Sequence, residues 1–221
     1  FFIKPPAAKE LEGLQTAVKA KTAPFAELDF KGMLKSSNFW FFFIWVTALS
    51  AGGLVIVGNS APFANTITGD LETAATVAGI ISVCNGFGRI FFGTLFDAKG
   101  YRVSMLTVIA AYIIAVAALI GASMTGSFAI LVVSYVLAGF AYGGVTPTNS
   151  AFTAKFFGGQ NYALNLSIIN LNLLIASYLP QIASRLIDAY GSYNGAFYYV
   201  IALAVIALAA TLFVRAPKNE Q

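Results

Sequence analysis

The chain has 221 residues, of which 58% are hydrophobic and only 10% are charged, and its formal net charge is +4. A water-soluble domain of this size needs far more charged surface, and the scattered cations do not form a nucleic-acid groove. The sequence has no histidine and a single cysteine, Cys84, which excludes an intrachain disulfide and removes the commonest metal ligand. We therefore expect no nucleic-acid partner, no metal and no cofactor.

Six mostly apolar segments are long enough to cross a membrane, which takes about 20 residues of helix. In chain order they cover residues 39–63, 75–96, 103–122, 128–154, 163–187 and 195–214. The polar links between them are short, so each helix should run antiparallel to the next. The sequence predicts an all-α membrane protein, with a six-transmembrane-helix bundle over residues 39–214 and a cytoplasmic tail at 215–221.

Residues 1–38 differ in composition and carry many of the basic residues. Leu11, Leu14 and Val18 recur at helical spacing, which predicts a short helix on the cytoplasmic surface within a basic linker. Residues 1–3 have the composition of the last turn of a preceding span. We therefore expect further helices before this segment.

The distribution of basic residues predicts the orientation, because cytoplasmic loops are enriched in Lys and Arg. If both termini are cytoplasmic, every cation except Arg89 and Arg185 lies on an inner segment. The outer loops then carry Asp70, Glu72 and Asp188. The sequence predicts a multi-pass protein of the inner or plasma membrane with both termini inside.

The segment GRIFFGTLFDAKGYR joins the second and third predicted spans. Its Gly93, Asp97, Gly100 and Arg102 follow a G-x-x-x-D-x-x-G-x-R spacing, in which Gly93 permits close helix approach and Gly100 supplies the turn. A generic tight turn is the alternative. The spacing resembles the cytoplasmic loop motif of major facilitator superfamily transporters. That resemblance implies that the chain is the second half of a twelve-helix fold.

Arg89 lies about 12 Å further into the second span than Asp97, at 1.5 Å rise per residue. No other ionisable side chain lies well inside a predicted span, and a cation there costs on the order of 3 kcal/mol or more. Ser82, Asn85 and Arg89 recur at helical spacing and form one stripe. The stripe predicts a substrate-binding surface; the alternative is an arginine that snorkels to the headgroups.

Further polar side chains recur at helical spacing in the fourth and fifth spans. Tyr135, Tyr142 and Thr146 share one stripe, and Asn165 and Asn172 share one face. They are predicted to line a hydrogen-bonding substrate cavity, or alternatively to join helices.

Glycine and proline spacing predicts packing and breaks within the bundle. Gly139 and Gly143 form a G-x-x-x-G pattern that indicates a packing seam between helices. Gly79, Gly86 and Gly93 recur every seven residues and form a small-residue stripe suited to tight packing. Pro147 and Pro180 are predicted to kink or break their helices.

The CNGFGRIFFG segment, the IKPP near the N-terminus and the spacing of the spans resemble the oxalate/formate antiporter family and the related monocarboxylate porters. In both groups an arginine of this helix binds the substrate carboxylate, which implies that role for Arg89. Oxalate carriers also hold a lysine in the fifth span where Ile169 stands here, which disfavours a dianion held by two cations. Animal-type monocarboxylate porters hold an aspartate at the position of Asn85, so an obvious proton acceptor is missing.

The sequence therefore predicts a secondary transporter, not an enzyme, that carries a small carboxylate anion of the monocarboxylate or oxalate/formate type by alternating access, as an antiporter or symporter. Its expected partners are the small organic anion, the lipid bilayer and an N-terminal six-helix half, in the same polypeptide or in a separate chain. One alternative is a drug or sugar carrier in which Arg89 is structural. Another is a non-transporting membrane receptor or scaffold.

Overall fold

The computed structural model describes residues 23–216, which form helices and no strand. The helices are α1 Phe30–Lys35, α2 Ser37–Thr68, α3 Leu71–Thr125, α4 Phe128–Gly143, α5 Val145–Phe157, α6 Tyr162–Asn170, α7 Asn172–Ala176, α8 Pro180–Tyr190 and α9 Asn194–Phe213. The all-α prediction is confirmed for this part of the chain. The predicted surface helix with Leu11, Leu14 and Val18, the span end at residues 1–3 and the tail beyond residue 216 lie outside the described residues.

Five helical segments between residues 23 and 216 are long and apolar enough to cross a membrane: Ser37–Thr68, Leu71–Thr125, Phe128–Phe157, Tyr162–Tyr190 and Asn194–Phe213. The second has 55 residues and is interrupted at Gly100, where φ is 79° and ψ is 177°. A Cβ built on Gly144 would lie 2.7 Å from the side chains of both Phe92 and Val108, which stand on opposite sides of Gly100. The chain therefore folds back at Gly100. The five segments supply the six predicted spans.

The fourth and fifth predicted spans are not continuous helices. The fourth is interrupted at Gly144, three residues before Pro147, whose missing N–H removes a bond to the carbonyl of Gly143. The fifth is divided into α6, α7 and α8, and α8 begins at Pro180. The break before Pro180 confirms the proline prediction. A further irregularity at Leu171 was not predicted; Leu171 itself keeps helical φ and ψ, −60° and −15°, and the helical segment Tyr162–Tyr190 covers the span predicted over residues 163–187.

The irregularity at Leu171 separates two asparagines whose side chains bind different helices. Asn149 of α5 donates to the Oδ1 of Asn170 over 2.9 Å. Asn172 donates to the Oγ of Ser50 on α2 over 3.1 Å. These bonds join α6 to α5 and α7 to α2.

The loops predicted to share one side of the membrane lie at the same end of the bundle. Tyr101, next to the Gly100 turn, packs edge-on against Phe156 at 4.9 Å between ring centroids. At that end the Glu27 carboxylate accepts hydrogen bonds from the backbone N–H groups of Gly159 and Gln160, at 3.1 and 3.0 Å. The segment that precedes α1 is thereby tied to the loop between α5 and α6.

Helix α2 is the centre of the bundle. The Tyr112 hydroxyl donates to the Leu49 carbonyl over 2.8 Å, which joins α3 to α2. Phe42 of α2 stacks on Phe152 of α5 with 3.7 Å between ring centroids. The segment that contains α6 to α8 is the least buried of the five apolar segments, and the first limb of α3, residues 71–99, also carries many exposed side chains.

Candidate functional site

Arg89 lies on the first limb of α3 and is exposed in this chain. Its Nε donates to the Oδ1 of Asn85, one turn earlier, over 3.0 Å. Ser82 is also exposed on this limb, and Asn85 is partly buried. The structure therefore brings the guanidinium and the Asn85 amide together as the helical spacing predicted.

The outward direction of Arg89 follows from a close contact between α3 and α4. The two backbones approach each other directly at three glycines, Gly88, Gly139 and Gly143. This contact is called the seam below. A Cβ built on Gly88 would overlap the carbonyl oxygen of Phe140, and one on Gly143 would lie 3.0 Å from the backbone nitrogen of Arg89. Because Gly88 is buried in this contact, its neighbour Arg89 is turned about 100° away from it and out of the bundle. The predicted packing role of Gly139 and Gly143 is confirmed.

A second side of the same limb has no neighbour in the described chain. The surface formed by Gly79, Ser82, Gly86 and Arg89 is called the open face below. A Cβ built on Gly79 or Gly86 would meet no described atom of another helix within 4 Å, whereas one on Gly93 would lie 3.7 Å from Pro147. Of the predicted glycine stripe, only Gly93 therefore packs against another described helix.

Tyr142 lies between the Arg89 limb and the central helix α2. It is partly buried, and a Cβ built on Gly53 of α2 would lie 2.7 Å from its ring Cγ. Gly143, the next residue of α4, packs against the backbone of Arg89. Helix α4 thus holds an aromatic ring with a polar tip one residue from its contact with the Arg89 backbone.

Three other predicted site residues are buried and join helices. The Tyr135 hydroxyl donates to the backbone carbonyl of Ser60 on α2. Asn165 donates to the Leu28 carbonyl over 2.9 Å, and Asn172 donates to Ser50. These contacts correspond to the interhelical alternative that the sequence left open. A substrate-binding role for these three residues stays a prediction.

Thr146 is exposed on α5, one turn before Asn149. Asn149 is buried and donates to Asn170, while its own Oδ1 has no partner among the described residues. The Asn149–Asn170 hydrogen bond joins α5 to α6 one turn beyond Thr146. The structure places Thr146 on the helix that continues α4 beyond Tyr142.

The loop motif lies at the same end of the bundle as the loop between α5 and α6. Gly100 has the positive φ that its predicted turn requires. Asp97 and Arg102 are exposed on either side of that turn, and Gly93 contacts Pro147 of α5. The turn-forming role of Gly100 is confirmed.

Comparison with known proteins identifies the family. The model of the Major Facilitator Superfamily matches residues 1–179 and 43–221 in two overlapping matches. The chain belongs to the Major Facilitator Superfamily. It is also 25% identical over 146 residues to the uncharacterized MFS-type transporter YhjX of Escherichia coli (strain K12), a match that covers 65% of this chain and 36% of that protein. The chain spans about a third of the length of this curated relative.

Sequence reasoning missed Gly53, which the structure places against Tyr142. The available signal was the Gly52-Gly53 pair within an apolar helix, which indicates close approach of a neighbour without saying which one. It also missed Gly88 as a seam residue. The glycine repeat drew attention to Gly86 instead.

Proposed function

We propose that this chain forms half of a secondary transporter for a small carboxylate anion, and that Arg89 binds the carboxylate. The observation that carries the proposal is the exposed guanidinium on the open face, held in place through its Nε by Asn85. A carboxylate is the natural ligand of a positioned guanidinium, since the two groups pair through parallel N–H···O bonds.

The hydrogen bond to Asn85 leaves the terminal nitrogens of Arg89 available. A guanidinium has five N–H donors in a planar fork, and only the Nε donor points back to Asn85. The two terminal nitrogens can therefore donate parallel hydrogen bonds to one carboxylate. Asn85 is neutral, so it orients the guanidinium without cancelling its charge, as an aspartate at this position would. The full positive charge remains for the substrate.

A companion half completes the site in this proposal. A cation on a surface that faces lipid costs on the order of 3 kcal/mol or more, whereas one that faces a water-filled cavity or another helix bundle does not. Superfamily members bind substrate near the bilayer midplane, between two repeats. We infer that a further bundle faces the open face. Liposomes that hold only monomers of this chain should show no carboxylate flux.

The test is substrate-induced thermal stabilisation of the protein together with its companion half, screened against small carboxylates, oxalate and sugars. We expect stabilisation by carboxylates in the wild type and none in Arg89→Ala. Arg89→Lys should keep the charge but lose about 1.5–3 kcal/mol of binding, because an ammonium cannot pair in the two-pronged way. Arg185→Ala is the matched control, since Arg185 is exposed near the other end of a span.

Two outcomes overturn the proposal. Unchanged carboxylate binding by a well-folded Arg89→Ala protein would make Arg89 a structural residue. Stabilisation by sugars or drug-like compounds with no response to carboxylates would support the drug or sugar carrier instead. Circular dichroism of each variant checks that the fold is intact.

The proposed orientation, with both termini cytoplasmic, has a separate test. Thr68 lies at the end of α2 beside the Asp70 loop, and Ala98 lies next to the Gly100 turn. A cysteine at Thr68 should react with an impermeant reagent from outside intact cells. A cysteine at Ala98 should react only after permeabilisation. The reverse pattern would contradict the orientation.

A further inference from the structure

The ring of Tyr142 occupies a space that exists because residue 53 has no side chain. A Cβ built on Gly53 would lie 2.7 Å from the ring Cγ and closer still to Cδ2 and Cε2. These distances are shorter than real Cβ contacts, so a methyl group at residue 53 and the present ring position exclude each other.

The neighbouring glycine faces different residues. A Cβ built on Gly52 would lie 3.2 Å from Val200 of α9 and 3.5 Å from Tyr112 of α3. Both glycines are buried on the same turn of α2. Gly52 therefore shares the helix, the burial and the residue type of Gly53 but does not contact Tyr142.

The backbone that carries Tyr142 has little freedom to move. Gly143, the next residue, packs directly against Asn85, Gly88 and Arg89 in the seam. A side chain at residue 53 would therefore displace the Tyr142 ring rather than α4. Because Gly143 packs against the backbone nitrogen of Arg89, Tyr142 lies one residue from the contact between α4 and the Arg89 limb. A ring displaced from Gly53 moves away from α2 within this region.

We propose that Gly53 determines substrate size by setting the distance that the Tyr142 ring keeps from Arg89. The inference rests on the proposed function, since it assumes that a carboxylate binds at Arg89. With glycine at residue 53 the ring lies back against α2, and room remains for the part of the substrate attached to the carboxylate. Gly53 contacts no substrate itself and acts through the ring as a positioning residue.

The experiment compares the affinity for formate and for benzoate, measured by thermal stabilisation of the protein with its companion half. Gly53→Ala should weaken benzoate binding about tenfold relative to formate, the size of effect that one methyl group has in a binding pocket. Gly52→Ala is the control and should leave the ratio unchanged. Adding Tyr142→Leu to Gly53→Ala removes the ring and should restore the relative affinity for benzoate.

The outcomes separate the two proposals. A wild-type protein that binds no carboxylate overturns the proposed function and this inference with it. A wild-type protein that binds carboxylates, with equal ratios in Gly53→Ala and Gly52→Ala, overturns this inference alone. If Gly53→Ala does not fold, Tyr142→Leu in the wild-type background carries the test: it should favour benzoate relative to formate, and an unchanged ratio contradicts the inference.

Discussion

The first limb of α3 carries glycines on two sides. One side packs against α4, and the other has no neighbour among the described residues. On one side Gly88 is buried in the seam, where a Cβ would overlap the Phe140 carbonyl oxygen. On the other side, a Cβ built on Gly79 or Gly86 would have no described atom of another helix within 4 Å. These two glycines share the open face with Arg89. Glycine thus permits close packing against α4 in the seam, while the glycines of the open face contact no described helix. The seam positions the open face, and the open face carries the proposed chemistry.

The largest expected effect separates these two sides directly. Gly88→Ala should reduce the free energy of unfolding by about 1–3 kcal/mol, because the backbone of Phe140 cannot move away from the new methyl group. Gly86→Ala should leave stability unchanged or raise it by up to about 1 kcal/mol through better helix propensity. Unfolding of this chain in detergent, followed by circular dichroism, measures both. Equal destabilisation by the two variants would contradict the distinction.

A smaller effect tests the same comparison on α4, where two tyrosines face different surroundings. Tyr135→Phe removes the hydrogen bond to Ser60 and should cost about 0.6 kcal/mol, the average for such bonds between helices in a membrane. Tyr142→Phe should change stability less, because Tyr142 is only partly buried whereas Tyr135 is fully buried. A larger loss for Tyr142→Phe would show that Tyr142 holds the helices together and is not part of a free surface.

The smallest expected effect on stability concerns Asp70, which caps the start of α3 and lies outside both the seam and the open face. Hydrogen bonds from Thr73 to the Asp70 carboxylate, one of them 2.8 Å long, lower the pKa of Asp70. The stability that Asp70 contributes through these bonds is therefore fully present above its pKa in the unfolded chain. It is lost as the pH falls through the lower pKa of Asp70 in the folded chain. Acidification below about pH 4 should therefore weaken the wild type slightly more than Asp70→Asn, in thermal unfolding. Equal acid sensitivity would contradict the capping role.

Much of the fold could be predicted from the sequence because its causes are local. Apolar length predicts a span, and Gly100 predicts a turn because a positive φ suits glycine. The irregularity at Leu171 could not be predicted, since it accompanies a hydrogen bond that Asn170 accepts from Asn149 of α5 and one that Asn172 donates to Ser50 of α2. Contacts of that kind depend on which helices become neighbours.

The site was predicted to a smaller extent for the same reason. Asn85 and Arg89 lie on one helix, so their spacing predicted their contact. Tyr135 and Tyr142 also share a helical stripe, yet Tyr135 is buried and bonds to the Ser60 carbonyl, whereas Tyr142 is partly exposed and its ring occupies the space left by Gly53. Helical spacing gives the side of a helix on which a residue lies. It does not identify the helix or cavity which that side meets.

The central claim is that the open face lines an aqueous substrate path once the companion half is present. The most direct measurement is the reaction of an engineered cysteine with a water-dependent thiol reagent, in the complete transporter with Cys84 replaced by serine. Ser82→Cys, on the open face, should be labelled, and a carboxylate that binds at Arg89 should slow its labelling. Phe87→Cys, exposed on another side of the limb, should stay unlabelled in lipid. An inert Ser82→Cys, or labelling that carboxylate leaves unchanged, would contradict the account.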